Sequence, residues 1–313
     1  MGRADVYIDP TATDPVLAES DVRRMAQEFL PDQLDPESFD VDESGGEARA
    51  YLLGGIVVKV QRPHRRRART SLAKEAAVLK ALAEPLPGRV PSLHGYGVAE
   101  LPSGRHEFLV LSRIPGHAVR SHSGPVDMRP LLSEVADILQ SVHAIEPETI
   151  GGLDTVPTDD AADTLFRRLE DWFADLVELA AGRTDRWRLP VSPGEVALAA
   201  IDALPRELVL SPRLLHSNPG PSHVFVDRRG ALTGLIDFGD AYASHPALDL
   251  RSWPDPDHRI ALRDAYSAGA DAGSEFEAIW TVAMMVADMN AIIHRPDLGD
   301  RARRDLKRRL ASL

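Results

Sequence analysis

LLHSNPGPSHVFVDRRGALTGLIDFGDA, residues 214–241, is the stretch on which the reading of this chain turns. Two short apolar strands, in LVLSPRLLHSN (208–218) and HVFVD (223–227), bracket a polar loop from His216 to His223. LTGLIDFGD (232–240) then sets Asp237 at a strand end, followed by Phe238 and Gly239, with Asp240 close behind. Asp249 follows in HPALDL, residues 245–250. A single aspartate in such a place is ordinarily a turn or helix cap. The ordered set is a stronger signal, and a carboxylate at a strand end beside a glycine turn suits Mg²⁺, a hard cation that prefers oxygen.

Upstream, the texture is strand-rich. SDVRRMAQEFL (20–30) reads as a helix N-capped by Ser20, with Val22, Met25 and Leu30 apolar. FDVDESGGEARAYLLGGIVVKVQR (39–62) gives three strands joined at Gly45-Gly46 and Gly54-Gly55. A helix over 71–84 and strands at about 90–99 and 107–113 complete a five-stranded antiparallel pattern interrupted by one helix. After Pro115-Gly116, residues 129–145, 162–182, 194–204, 258–270, 275–293 and 299–312 read as helices. EFEAIWTVAMMVADMNAIIHR (275–295) is apolar nearly all round, which predicts a buried helix. The expected fold is α+β and bilobal: a small antiparallel-sheet lobe at 1–113, a larger helical lobe at 114–313, and a cleft at their junction.

In IVVKV (56–60), strand alternation puts Val57 and Lys59 on one face and Ile56, Val58 and Val60 on the other. In the helix at 71–84, Leu72, Glu75, Leu79 and Leu82 share a stripe. A carboxylate inside an apolar stripe is costly unless paired, and Lys59 is a suitable partner. A strand lysine held by a helix glutamate is the device that positions nucleotide phosphates in protein kinases. Glycines at Gly45 and Gly46 would let backbone N–H groups approach a phosphate, although a Gly-Gly turn is most often just a hairpin.

Composition bounds the rest. At about 150 residues per domain, 313 residues allow two domains, and 43% hydrophobic residues supply a sizeable core. With no cysteine there are no disulfides, no Cys-ligated zinc and no thiol nucleophile. A net charge of −12 disfavours general nucleic-acid binding. The basic run HRRRAR (64–69) reads as a solvated loop or a contact for an anionic partner, and the acidic DTVPTDDAAD (154–163) as a solvated loop or a surface for a cationic acceptor. MGRADVYIDP (1–10) has no apolar signal segment, Val6 stands where myristoylation wants Ser or Thr, and no apolar run approaches 18 residues. A cytoplasmic protein with no membrane span is expected. The C-terminal RARRDLKRRLASL (301–313) reads as a packing helix or a surface for a protein partner.

These segments together resemble the aminoglycoside phosphotransferase family, which shares the protein-kinase-like fold and includes macrolide, choline and homoserine kinases. The likeness runs from about residue 36 to 290. GGEARAYLLGGIVVKVQRP, LAKEAAVLKALA and VPSLHGYG resemble the family's small lobe, FLVLSRIPG its hinge, and LLSEVADILQSVHAI its helix ending in Leu-x-x-Leu-His. LIDFGDA followed by HPALDL resembles its metal-binding segment. The resemblance implies ATP or GTP as phosphate donor, Mg²⁺ (or Mn²⁺) as metal, and a small-molecule or peptide hydroxyl as acceptor. It implies that Lys59 holds the α- and β-phosphates and Glu75 orients it. Val110, Leu111, Ser112 and Arg113 would receive the purine through backbone groups. His216 would organise the loop backbone, Asp237 would be the principal metal ligand, and Asp249 would brace the loop.

The family pattern H-G-D-x-x-x-x-N calls for Asp at 218 and Asn at 223; this chain has Ser217, Asn218 and His223. Asn218 cannot accept a proton but can hold a hydroxyl in line. His223 offers nitrogen where Mg²⁺ wants oxygen, or an imidazole base that titrates near neutral pH. Two readings follow: a kinase with an atypical base position, or a pseudokinase that binds nucleotide or a partner without transferring phosphate.

Overall fold

The computed structural model describes residues 14–35, 37–63, 71–151, 156–205, 211–268 and 273–313; the basic run at 64–69 lies outside them. Packing divides the chain into two compact units. The first comprises Met1–Pro125, Glu148–Val156 and Ser222–Ala241, the second Val126–Pro147, Pro157–Pro221 and Tyr242–Leu313. A single boundary near 112–116 becomes several chain crossings, because strands after residue 222 pair with a strand at 117–118.

Elements are numbered along the chain. The first unit contains α1 (Glu19–Gln27), β1 (Asp40–Asp42), β2 (Ala48–Leu53), β3 (Ile56–Gln61), α2 (Leu72–Leu82), β4 (Leu93–Leu101) and β5 (Gly104–Ser112). The five strands form one antiparallel sheet, as expected, and the structure gives their order as β1-β2-β3-β5-β4. Gly54 turns β2 into β3 with φ +64°, a conformation a side chain would disfavour. Val58 and Val60 bury one face of β3 against Tyr51, Phe108, Val110 and the α1 residues Val22 and Met25. Lys59 therefore points to the other face, where α2 packs. The helix α1 is not capped by Ser20: it starts at Glu19, and Ala18 takes the cap position without a side-chain bond. Its entry is fixed instead by buried Leu17, whose N–H donates to the Tyr51 hydroxyl at 2.9 Å.

A second, three-stranded sheet in this unit has the order β6-β8-β9, from His117–Ala118, Val224–Val226 and Leu232–Leu235. Gly116 enters β6 with φ +93°, and a Cβ there would fall 2.1 Å from the Val226 carbonyl oxygen. Neither the backbone angle nor the space admits a side chain. Gly116→Ala should cost about 2 kcal/mol, read as a lower midpoint in urea unfolding with an unchanged slope.

The second unit contains α3 (Met128–His143), α4 (Ala162–Ala181), α5 (Thr184–Trp187), α6 (Pro193–Asp202), β7 (Arg213–Leu215), β10 (Tyr242–Ser244), α7 (Pro256–Tyr266), α8 (Gly273–His294) and α9 (Gly299–Ser312). The strands β7 and β10 pair antiparallel, Leu215 opposite Tyr242. By length and composition α8 could cross a membrane, but 72% of its most apolar window is buried inside the protein, which makes it the core helix of this unit. Its Asp288 is fully buried and pairs with Arg259 Nη2 and Arg309 Nε, each at 3.1 Å, tying α7, α8 and α9 together. The basic C-terminal segment turns Ala302 and Leu306 inward and packs on α8.

Candidate functional site

In the first unit four predicted residues meet. Lys59 Nζ donates to Glu75 Oε2 and to Asp237 Oδ1, both at 2.7 Å. His223 Nε2 lies 3.4 Å from the other Asp237 oxygen, Oδ2. The Glu75 side chain is 1% exposed, so the apolar stripe does bury a carboxylate, and the lysine meets it. Burial pulls the Lys59 ammonium down, but Asp237 and then Glu75 outweigh it and hold its pKa above the ordinary lysine value. Burial raises Glu75, and the Lys59 charge opposes that rise without cancelling it.

The backbone holds this cluster in place. Ser71 caps α2 by accepting from Lys74 N. The Phe238 amide donates to the Glu75 carboxylate, and Ile236 N donates to His223 O at 3.0 Å. Asp237 itself sits at φ +73°, in the left-handed region that Asp tolerates better than most residues. A residue held there at a cost of about 1–3 kcal/mol is over-determined by its surroundings.

Of the other predicted nucleotide groups, two backbone amides are engaged within the unit. The Ser112 and Arg113 amides donate to Ser92 O (2.9 Å) and Gly55 O (2.8 Å). Val110 and Leu111 lie opposite Val58 and Val57 in the sheet. Gly45 and Gly46 lie in the β1–β2 connection, where a Cβ on Gly45 would meet the Ala48 carbonyl oxygen at 2.2 Å. The chain's own backbone therefore accounts for glycine at 45. Beside it the Glu43 carboxylate is bound by Arg49 and Arg62, and the Arg49 hydrogen bond holds its pKa below the usual range.

In the second unit the loop from His216 is braced by one carboxylate. Asp249, fully buried, accepts from His216 N (2.7 Å) through Oδ2 and from Ser217 N (2.8 Å) through Oδ1. Ser217 takes φ +84°, the second strained non-glycine residue of the site. His216 is 1% exposed, and its Nδ1 accepts from Asn218 N at 3.2 Å. Asn218 is exposed. Gly220 passes so close to Ser252 that a Cβ would lie 2.7 Å from its carbonyl oxygen.

Sequence reading met His143 only as the end of the α3 motif and did not single out Tyr266. His143, at the end of α3, places Nε2 3.1 Å from Asp249 Oδ2 and Nδ1 2.8 Å from the Tyr266 hydroxyl. The signal was present: Leu132, Leu139 and His143 share the buried stripe of α3, a polar residue on an apolar face just as Glu75 is. The acidic run at 154–163 lies partly outside the described residues, and its Asp159 is buried and bound bidentately by Arg168 at 2.6 and 2.9 Å.

Comparison with known proteins agrees with this architecture. The GDP complex of wild-type aminoglycoside 2'-phosphotransferase-IIIa matches with a TM-score of 0.60 at 18% identity, covering 95% of this chain and 99% of that one. The apoenzyme of macrolide 2'-phosphotransferase MphH from Brachybacterium faecium matches at 0.58 and 19%, covering 93% and 97%. The streptomycin–ATP ternary complex of APH(2'')-IIa matches at 0.58 and 16%, covering 90% and 93%. The model of the APH phosphotransferase enzyme family matches residues 39–280, most of the sequence, and the chain belongs to that family.

Proposed function

We propose that this protein is a nucleotide-dependent phosphotransferase that moves the γ-phosphate of ATP or GTP to a hydroxyl of a small molecule or peptide, with Asn218 in the base position. The observation that carries the reading is Lys59, fixed by buried Glu75 and presented at Asp237. Structures similar to this one hold GDP or ATP, which supports a nucleotide as donor. Kanamycin, streptomycin and macrolide names among those relatives point to small-molecule hydroxyls. Asp159 is spent on Arg168, so it supplies no charge for a cationic acceptor.

Among the described residues no group of three His, Asp or Glu side chains makes a metal cage. One carboxylate from Asp237 fits Mg²⁺, which takes the rest of its shell from phosphates and water. His223 is a poor Mg²⁺ ligand by donor type, acceptable to Mn²⁺, and its contact with Asp237 Oδ2 makes it a partner of that carboxylate. When bound, the ion neutralises charge on the phosphates. Lys59 would exchange its Asp237 contact for phosphate oxygens while Glu75 holds its position. Asn218 would hold the acceptor hydroxyl in line, the O–H proton passing to a phosphate oxygen or to solvent. Losing a general base costs about 10²–10⁴-fold, and phosphoryl transfer leans mainly on positioning and electrostatics.

A second reading, a nucleotide-binding module without transfer, is favoured by Asn218 and by His223 lying against Asp237. Mg-nucleotide binding and phosphate transfer, measured for wild type and for the Asn218→Asp/His223→Asn double variant, separate the two. Slow wild-type transfer that rises by about 10²-fold or more in the double variant supports the first. Tight wild-type binding with transfer appearing only in the double variant establishes the second. No nucleotide binding by wild type sinks both.

A further inference from the structure

The loop brace does not end at Asp249. Behind it lies a chain of packed groups that neither reading of the site uses. His143 sits between Asp249 Oδ2 (3.1 Å) and the Tyr266 hydroxyl (2.8 Å), with its ring edge-on to the tyrosine ring at 5.3 Å. Tyr266, the last residue of α7, is tied back to α3 because its carbonyl accepts from Gln140 Nε2 at 2.8 Å. Its ring stacks on Phe276 of α8 at 6.4 Å. Two helices thus meet at one imidazole, and α8 packs on the tyrosine.

For a neutral imidazole, donor and acceptor rules fix the direction of the chain. A carboxylate only accepts, so Asp249 Oδ2 requires a proton on His143 Nε2. His143 Nδ1 is then free of a proton and accepts from the Tyr266 O–H. The phenol suits that role: burial, reinforced by the Asp249 charge, pushes it up to about 12, so it remains a donor. The neighbouring His245 is pushed down to about 4, chiefly by burial.

We propose that Tyr266 and His143 are positioning residues for the 216–223 loop. Tyr266 selects the Nε2–H tautomer of His143, and that tautomer holds Asp249 in the orientation that grips the His216 and Ser217 amides. The consequence reaches Ser217, whose strained backbone is kept by the amide bond to Asp249 Oδ1. A chain of this kind acts on loop geometry, not on nucleotide affinity, since neither residue belongs to the unit that contains Lys59. The proposal rests on reading 216–223 as the transfer loop only for its catalytic arm.

The test uses the full chain labelled with ¹⁵N. In wild type the imidazole nitrogens of His143 should report a protonated Nε2 and an acceptor Nδ1. Tyr266→Phe should mix the tautomers and speed hydrogen exchange at the His216 and Ser217 amides by about tenfold, the size expected for one lost hydrogen bond. Exchange in the α8 core should stay unchanged, and the KM or Kd for nucleotide should move less than about twofold while kcat falls. His143→Gln, whose amide can still donate towards Asp249, should keep the two loop amides protected; His143→Asn, whose shorter side chain cannot reach, should not. Unchanged tautomer and exchange in Tyr266→Phe would overturn the proposal. So would faster exchange spread evenly through the unit, which marks packing alone. If wild type transfers no phosphate, the nitrogen shifts and amide exchange still decide the matter, and loss of nucleotide binding in wild type leaves both readouts intact.

Discussion

Lys59→Met should lower stability by about 3 kcal/mol and weaken Mg-nucleotide binding by about tenfold to a hundredfold. The stability loss comes from Glu75, whose side chain is 1% exposed and whose partner is removed. Breaking a buried pair on one side strands a charge where water cannot reach it, at about 3–5 kcal/mol. The affinity loss is that of one charge-assisted hydrogen bond to phosphate, about 1.5–3 kcal/mol. The double variant Lys59→Met/Glu75→Met should recover most of the stability and none of the binding, because the buried charge has gone but so has the phosphate partner.

The pH dependence gives an independent check. In wild type Lys59 has a raised folded pKa, so it stabilises the fold below 10.5 and that contribution fades as pH rises through the folded value. In the variant only the Phe238 amide still opposes the burial that already raises Glu75 above 4.5. The folded variant then binds a proton that the unfolded chain releases, and its stability falls with rising pH across that window. The deficit against wild type should therefore shrink as pH drops towards 4.5, followed by urea unfolding at several pH values. A pH-independent deficit would mean that Glu75 is not the cause.

Asp249→Asn should be nearly as damaging as Asp249→Ala. The two backbone donors use different oxygens, His216 N on Oδ2 and Ser217 N on Oδ1. An asparagine has one oxygen, so its amide group must face one donor with another donor. One buried N–H left without a partner costs about 1–3 kcal/mol, and the strained Ser217 is then free to relax. Transfer should fall by about 10²-fold, the scale expected for a displacement of about 1 Å at the reacting groups. Nucleotide affinity should hold within about threefold. Steady-state kinetics, nucleotide titration and urea unfolding on the same samples separate these effects.

The parts legible in the sequence are those set by short-range periodicity or by a misplaced charge. Alternation in IVVKV gave the buried face of β3, and a carboxylate in the α2 stripe gave the Lys59–Glu75 pair. The resemblance located Asp237 and Asp249. The unread parts are non-local. The strands β6 and β10 have two and three residues, too few for a period, and exist only because distant strands pair with them. The contact of His223 with Asp237 spans a β-hairpin, and His223 looked like a substituted ligand or a base, not like a partner of that carboxylate. Ser20 looked like a cap by type, but the Leu17–Tyr51 bond sets where α1 begins. Tyr266 stood in no pattern; it matters because α7 and α3 pack together.

The threading of the first unit has a consequence for how the protein is made. Residues 222–241 close its second sheet and bring in Asp237. A nascent chain that ends at Pro125 holds all of the five-stranded sheet, yet Lys59 has one carboxylate of two, and Arg89 lacks the Leu232 carbonyl that it binds at 2.7 Å. Completion must wait for more than a hundred further residues to leave the ribosome, and contacts this distant in sequence form slowly. The unit that carries Lys59 is begun first and finished late. A fragment ending at Pro125 should therefore emerge as a partly formed sheet that needs chaperone cover, while a fragment ending just past Ala241 is the shortest that contains the whole unit.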